Sequence, residues 1–224
     1  MPKKYTQLNK DLLKRFENHL LLIFTRNPEL GKCKTRLAAT IGDESALKIY
    51  KFLLDHTVAI TKDLKAEKQV HYSKAIWTDD IWDNTLYQKK LQDGMDLGER
   101  MQNAFKNGFD GGFEKIIIVG SDMYDLLQGD LEEAFEQLNK HDYVLGPAED
   151  GGYYLLGMTS LKKELFQNKD WGTATVLAET MDNLKAEDVF ILPTKNDVDL
   201  YEDIKDIDSF KPYLLHIIDC PIIS

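Results

Sequence analysis

A chain of 224 residues, 43% hydrophobic and with a formal net charge of -10, has the size and apolar content of one α/β domain with a full core. That charge excludes a nucleic-acid surface, which needs a basic stripe, and disfavours an anionic membrane. Any phosphate site has to be a local island of lysine and arginine in an acidic protein.

Leu8, Leu12, Leu13 and Phe16 recur at helical spacing, so residues 6–18 predict an amphipathic helix. Leu20 to Thr25 reads as a buried strand, apolar on both faces and too short to span a bilayer. No small-residue cleavage site accompanies it, and the expected compartment is the cytoplasm. A loop from Arg26 to Lys34, broken by Pro28 and Gly31, leads to a long helix with Asp43 as its cap and Leu47, Tyr50, Leu53, Leu54 and Val58 on its apolar face. Lys68 to Ala75 predicts a strand. Residues 76–93 are ambiguous among turns, a short helix and a strand. The aromatics Trp77, Trp82 and Tyr87 fit a flap over the core, an acceptor pocket or a homodimer contact.

Asp96 caps a helix running to Phe105, and Lys115-Ile116-Ile117-Ile118-Val119 is the clearest buried strand, ending at Gly120-Ser121-Asp122. Asp125 is the expected cap of a helix over 129–140. Strands follow at 142–145 and 154–158, then a helix at 173–185 and a strand at 189–192. A last helix is capped by Asp199, with Glu202 in capping-box position. This alternation predicts a mostly parallel sheet with helices on both faces. Such sheets bind ligands at the carboxyl ends of their strands. Three charged segments fall at such ends (residues 26–36, Ser121-Asp122 and Glu149-Asp150) and are expected to converge on one crevice.

The densest signal is Gly146-Pro147-Ala148-Glu149-Asp150-Gly151-Gly152-Tyr153-Tyr154, held between two strands. Adjacent carboxylates at the rim of a core are costly unless they bind something. A glycine pair lets the backbone approach a ligand closely. Asp150 and Glu149 are therefore candidate catalytic groups, and Gly151 and Gly152 candidate neighbours of a phosphorylated ligand. Upstream, Arg26, Lys32, Lys34 and Arg36 put four cations in eleven residues between a strand and a helix, and are the candidate phosphate ligands. The loop is not a Walker A motif: Arg26 stands where its first glycine belongs and Cys33 where its Ser or Thr belongs. Asp122, Asp150 and Asp197 are candidate ligands for Mg²⁺ or Mn²⁺, which favour hard oxygen donors. Asp199 is divided between helix capping and the metal. Cys33 and Cys220 read as free thiols, and His19, His56, His71, His141 and His216 as structural or exposed.

Phe24-Thr25-Arg26 with Pro28, Gly31 and Lys34-Thr35-Arg36-Leu37-Ala38 resembles the start of the DUF2064 family. The likeness continues through Asp96-Leu97-Gly98-Glu99-Arg100-Met101, Gly120-Ser121-Asp122, the Glu149-Asp150-Gly151-Gly152 string, Trp171 with Thr173, and Pro193 with Asp197-Val198-Asp199. It covers roughly residues 19–207. The chain departs from the family pattern at Met123-Tyr124 (usually Cys-Pro), at Gly172 within Trp-Ser-Thr, and at Leu200-Tyr201 within Thr-Pro-Glu-Asp. None of these changes removes a charged candidate. The resemblance implies a Rossmann-like GT-A fold, expected over residues 19–208; outside it, 1–18 is expected as a helical extension and 209–224 as a tail packed on the domain. It also implies a nucleotide-diphospho-sugar transferase, some relatives being linked to arsenosugar biosynthesis. The chain is similar, too, to small nucleotidyltransferases with a comparable Lys-x-Arg loop.

The leading expectation is metal-dependent transfer of a sugar from a nucleotide-diphosphate donor to a small acceptor. Lys32, Lys34 and Arg36 would grip the diphosphate, Asp122 with Asp150 or Asp197 would hold Mg²⁺ or Mn²⁺, and Glu149 or Asp150 would take the acceptor proton. The alternatives are nucleotidyl transfer from a nucleoside triphosphate with release of pyrophosphate, and a non-catalytic nucleotide-binding module. The expected partners are a nucleotide-sugar or nucleoside triphosphate and a small-molecule acceptor, without nucleic acid or membrane.

Overall fold

The hydrophobic run of β1 (His19–Thr25) forms an interior strand of a seven-stranded sheet, with every residue except Phe24 buried. The computed structural model describes residues 18–218, so residues 6–17 of the expected helix and Cys220 lie outside the described residues. β1 pairs in parallel with β2 (Glu67–Tyr72) on one side and β4 (Lys115–Gly120) on the other. β3 (Gln88–Leu91) edges β2, while β5 (Tyr143–Pro147), β6 (Tyr153–Met158) and β7 (Val189–Ile191) complete the order β3-β2-β1-β4-β6-β5-β7. Within this sheet only β6 runs antiparallel to its neighbours, inserted between β4 and β5. The sheet is thus mostly parallel, as the alternating elements predict.

Side-chain alternation divides β1 between two cores. Leu20 and Leu22 join Met101, Phe105, Ile116 and Ile118 under α3 (Leu97–Asp110). Leu21 and Ile23 join Tyr50 and Leu54 of α2 (Asp43–Thr61) and Leu131 and Phe135 of α4 (Gln128–Gln137). Each such fully buried Leu or Ile contributes about 1.5–3 kcal/mol of burial free energy. A third cluster packs α1 (Thr35–Ile41) and α2 against Phe210 and Leu214, the latter on α6 (Lys211–Ile218). α5 (Val176–Asn183) precedes β7. No helix among the described residues is long and apolar enough to cross a membrane.

Local signals were displaced in three places. α1 was not foreseen, and Gly42 rather than Asp43 caps α2. α4 begins at Gln128, too late for Asp125 to cap it; instead the Leu127 amide donates to the Asp130 carboxylate at 2.8 Å. Asp96 does cap α3, accepting the Glu99 amide at 2.9 Å.

The ambiguous stretch before β3 is a flap tied down from inside. Trp82 and Tyr87 are buried and meet edge to face, with ring centroids 5.1 Å apart. Asp80 takes the Lys89 ammonium at 2.7 Å, the Trp82 amide at 3.0 Å and the Tyr72 hydroxyl. Lys89 also donates to the Trp77 carbonyl at 3.0 Å. The Asp80 and Lys89 side chains are 10% and 7% exposed, so this is a truly interior ion pair.

Candidate active site

Lys34 closes the loop after β1 and sets the centre of the site. It precedes α1 in the left-handed conformation, at φ 49° and ψ 47°, which costs a residue with a Cβ about 1–3 kcal/mol. Its ammonium reaches the end of β4, 2.8 Å from Asp122 and 3.9 Å from Asp199, and its side chain is only 5% exposed. Arg36 completes the cluster, 2.8 Å from the other Asp199 oxygen. Burial pulls the Lys34 pKa down, but Asp122, Asp199 and Asp197 outweigh it and hold the ammonium above its ordinary range. Burial likewise pushes Asp122 up, and Lys34 reverses that, keeping the carboxyl below the usual range.

Asp199 is freed for this role by a change in local structure. Instead of a helix capped by Asp199, a single 3-10 turn forms over Tyr201–Asp203. Asp203 does the capping, accepting the Asp199 and Leu200 amides at 2.9 and 2.6 Å. The Asp199 carboxylate turns to Lys34 and Arg36.

Asp197 sits among like charges. Burial first, then the carboxylate of Asp150, and more weakly Asp199 and Asp122, push its pKa up to about 6 against the pull of Lys34. A group whose folded pKa exceeds its unfolded value costs stability as it ionises, so the penalty grows from about pH 4 to about pH 6 and then levels. Asp197→Asn removes this penalty. Urea titrations at pH 4.5, 5.5 and 7 should show the variant gaining on the wild type as pH rises; a constant difference would place Asp197 outside this carboxylate group.

Beneath the cations lies a buried polar hub. The Tyr50 hydroxyl of α2 accepts the Arg26 amide at 2.9 Å and contacts Thr25 Oγ1 and Ser121 Oγ, each at 3.3 Å. Ser121 Oγ also donates to Thr25 Oγ1 at 3.0 Å. The hub pins the end of β1 to the end of β4, fixing the spacing across which Lys34 meets Asp122. Tyr50→Phe leaves the Arg26 amide without its acceptor and should cost about 2 kcal/mol, or about 4–8 °C in Tm. A calorimetric scan with no shift would mean the hub is dispensable.

The Glu149-Asp150-Gly151-Gly152 turn joins β5 to β6 and divides its residues between two sides. Asp150 Oδ1 accepts the Gly152 amide at 2.8 Å, so the carboxylate braces its own turn as well as facing the site. Gly151 has φ 88°, and a Cβ there would lie 2.4 Å from the Ala174 carbonyl oxygen. Its requirement is close packing on the 171–175 loop. Neither glycine borders the crevice that holds the cations; Gly152 lines an apolar cavity instead. Glu149 points elsewhere, into a separate cavity with His56, Tyr124, Asp125 and Lys195. The turn thus sets the two carboxylates beside different cavities.

Two cavities adjoin at Phe24 and Leu97. The polar one, about 650 Å³, is lined by Arg26, Lys32, Ser73, Lys74, Gln92, Arg100 and Asp122. The other, about 240 Å³, is lined mainly by apolar residues and carries Asp150 at its edge. Lys74, Gln92 and Arg100 were not among the expected site residues. The only signal for them was Arg100, within the Asp96-Leu97-Gly98-Glu99-Arg100-Met101 string.

Among the described residues no three His, Cys, Asp or Glu side chains form a group that could hold a metal ion, so Asp122, Asp150 and Asp197 make no closed cage. The donor chemistry still fits Mg²⁺ or Mn²⁺: such ions are commonly held by one or two carboxylates and completed by substrate phosphate.

A family model described as "Uncharacterized protein conserved in bacteria (DUF2064)" matches residues 51–173. Among solved structures, a protein of Desulfovibrio desulfuricans G20, provisionally described as a nucleotide-diphospho-sugar transferase, is 29% identical. It superposes with a TM-score of 0.77 over 90% of this chain and 95% of the other. A cytidylyltransferase of Leptospira borgpetersenii serovar Hardjo-bovis is 15% identical, with a TM-score of 0.56 over 90% and 94%. The 4-diphosphocytidyl-2C-methyl-D-erythritol synthase of Anaerococcus prevotii DSM 20548 is 10% identical, with a TM-score of 0.53 over 88% and 99%. These last two likenesses show the fold alone. A search of the curated proteins finds no match.

Proposed function

The chain belongs to the DUF2064 family, and from that premise we propose that it is a transferase that moves a sugar from a nucleotide-diphosphate donor to a small acceptor. The observation that carries this reading is the pair of adjoining cavities, one cationic and one mainly apolar with a carboxylate at its edge. The polar crevice takes the nucleotide diphosphate, with Arg26, Lys32 and Arg100 on its walls and Lys34 behind Asp122. The second cavity takes the acceptor, with Asp150 accepting its hydroxyl proton. Asp122 and Asp197 are the groups that would hold a divalent cation, whose contribution is to neutralise charge on the departing diphosphate, which leaves Asp150 to the acceptor. Lys34 and Arg36 add fixed positive charge beside the same leaving group, a preorganised stabilisation of developing charge.

The density of cations around the crevice also suits a triphosphate, which favours nucleotidyl transfer as the second reading. A thermal-shift screen of nucleotide-sugars and nucleoside triphosphates, each with and without Mn²⁺, separates the two. Ligand at about 100 times its Kd adds about 2.7 kcal/mol, or about 5–10 °C for a chain of this size. A metal-dependent shift with one nucleotide-sugar supports sugar transfer. A shift confined to triphosphates, with pyrophosphate released on turnover, moves the assignment to nucleotidyl transfer. No response to either class removes both.

A further inference from the structure

We infer that the acceptor is a molecule with a compact apolar body of about one ring and a single nucleophilic hydroxyl, rather than a polyol or a phosphorylated sugar. The inference rests on the sugar-transfer reading for the role of the cavity, but its argument comes from the cavity wall itself.

The wall is built from Phe24, Leu97, Met101, Ile118, Trp171 and Val176. Three hydroxyls also belong to it, and each already donates elsewhere. Tyr154 donates to the Pro193 carbonyl at 3.0 Å, Thr173 to the Asp170 carbonyl at 2.7 Å, and Tyr153 contacts Met101 Sδ at 3.9 Å. Asp150 is then the one charged side chain at the cavity, and one of its oxygens already accepts the Gly152 amide. A polyol placed here would set several hydroxyls against one free carboxylate oxygen and a few hydroxyl oxygens that can accept but have no proton left to give, and unsatisfied buried hydroxyls are costly. A phosphate would meet a carboxylate and no cation. The size argues the same way: a dry apolar cavity of about 150 Å³ holds benzene, and this one, at about 240 Å³, has room for one substituted ring.

In the transfer, the acceptor oxygen forms a bond to the anomeric carbon of the donor. The bond from that carbon to the diphosphate oxygen breaks, its electron pair leaves on the diphosphate, and the hydroxyl proton passes to Asp150. An acceptor whose apolar body fills the cavity presents its one hydroxyl at the edge where Asp150 stands.

The test uses 4-fluorobenzyl alcohol and myo-inositol, which carry one ring each, with ¹⁹F line broadening as the readout on the full chain. The fluorinated alcohol should broaden with the wild type at millimolar concentration. Val176→Phe fills the cavity from α5 and should weaken that binding at least tenfold, with Met101→Phe from α3 as the second filling variant should the first fail to fold. Myo-inositol should not displace the alcohol. Displacement by inositol, broadening that survives both filling variants, or no broadening with the wild type would each overturn the inference. Pyrophosphate with Mn²⁺ is titrated in parallel by calorimetry. If it binds while inositol occupies the cavity, the inference falls and the transferase reading stands. If the alcohol binds but neither pyrophosphate nor any nucleotide does, the reading falls and the apolar character of the cavity stands.

Discussion

Asp122→Asn should lose at least about a hundredfold in turnover, the scale on which a group opposing developing charge is felt, and should change its affinity for pyrophosphate in two opposite directions. Asp122 and Lys34 hold each other at 2.8 Å, so each blocks the other from an incoming ligand. Without metal, removing the Asp122 charge releases Lys34 to pyrophosphate, and the variant should bind it more tightly than the wild type. With Mn²⁺ the order should reverse, because a ligand of the cation has gone. Calorimetric titration of pyrophosphate into both proteins, with and without Mn²⁺, reads all four affinities. Weaker binding in the variant under both conditions would show that Asp122 does not compete for Lys34. Unchanged turnover would remove it from the cation site.

Lys89→Met should be strongly destabilising although it lies outside the crevice. It strands Asp80 in a flap where both partners are almost fully covered. Breaking one side of a buried pair costs about 3–5 kcal/mol, or roughly 6–20 °C in Tm for a chain of this length. The double variant Asp80→Asn/Lys89→Met should recover part of that loss, since no uncompensated charge remains. Thermal melts of the three proteins decide the matter; a double variant no better than Lys89→Met would mean that the hydrogen bonds to Trp77, Trp82 and Tyr72, rather than charge compensation, hold the flap.

The sheet was legible because its central strands are unmistakable: Leu20–Phe24 is apolar throughout and Ile116–Val119 is β-branched at every position, so both belong inside. The convergence of Lys34 and Asp122 followed from the rule that ligands gather at strand ends. What could not be read was the outcome of local competition. Asp199 and Asp203 both suit a cap, and only the folded chain shows Asp203 taking the amides while Asp199 meets Arg36. Glu149 and Asp150 are neighbours in sequence, yet the turn sends them into different cavities. Trp82 and Tyr87 lie in a stretch without periodicity, so their burial depended on Asp80 and Lys89 finding each other across nine residues. Burial of that kind is a tertiary event that no window of sequence records.

The insertion of β6 between β4 and β5 also has a kinetic consequence. The loop cations, Arg26 to Arg36, come from the first strand connection, whereas Asp150, Asp197 and Asp199 come from chain that follows β5. β4 has no partner on its outer side until β6 arrives, running against the strands around it. The β1–β2–β4 ladder can gather the polar crevice, whose lining lies within residues 24–122, before that, but without Asp150, Asp197 and Asp199 around it. On refolding from denaturant, far-UV ellipticity should therefore recover first, and the Mn²⁺-dependent part of pyrophosphate binding, which draws on Asp197, only when the sheet closes.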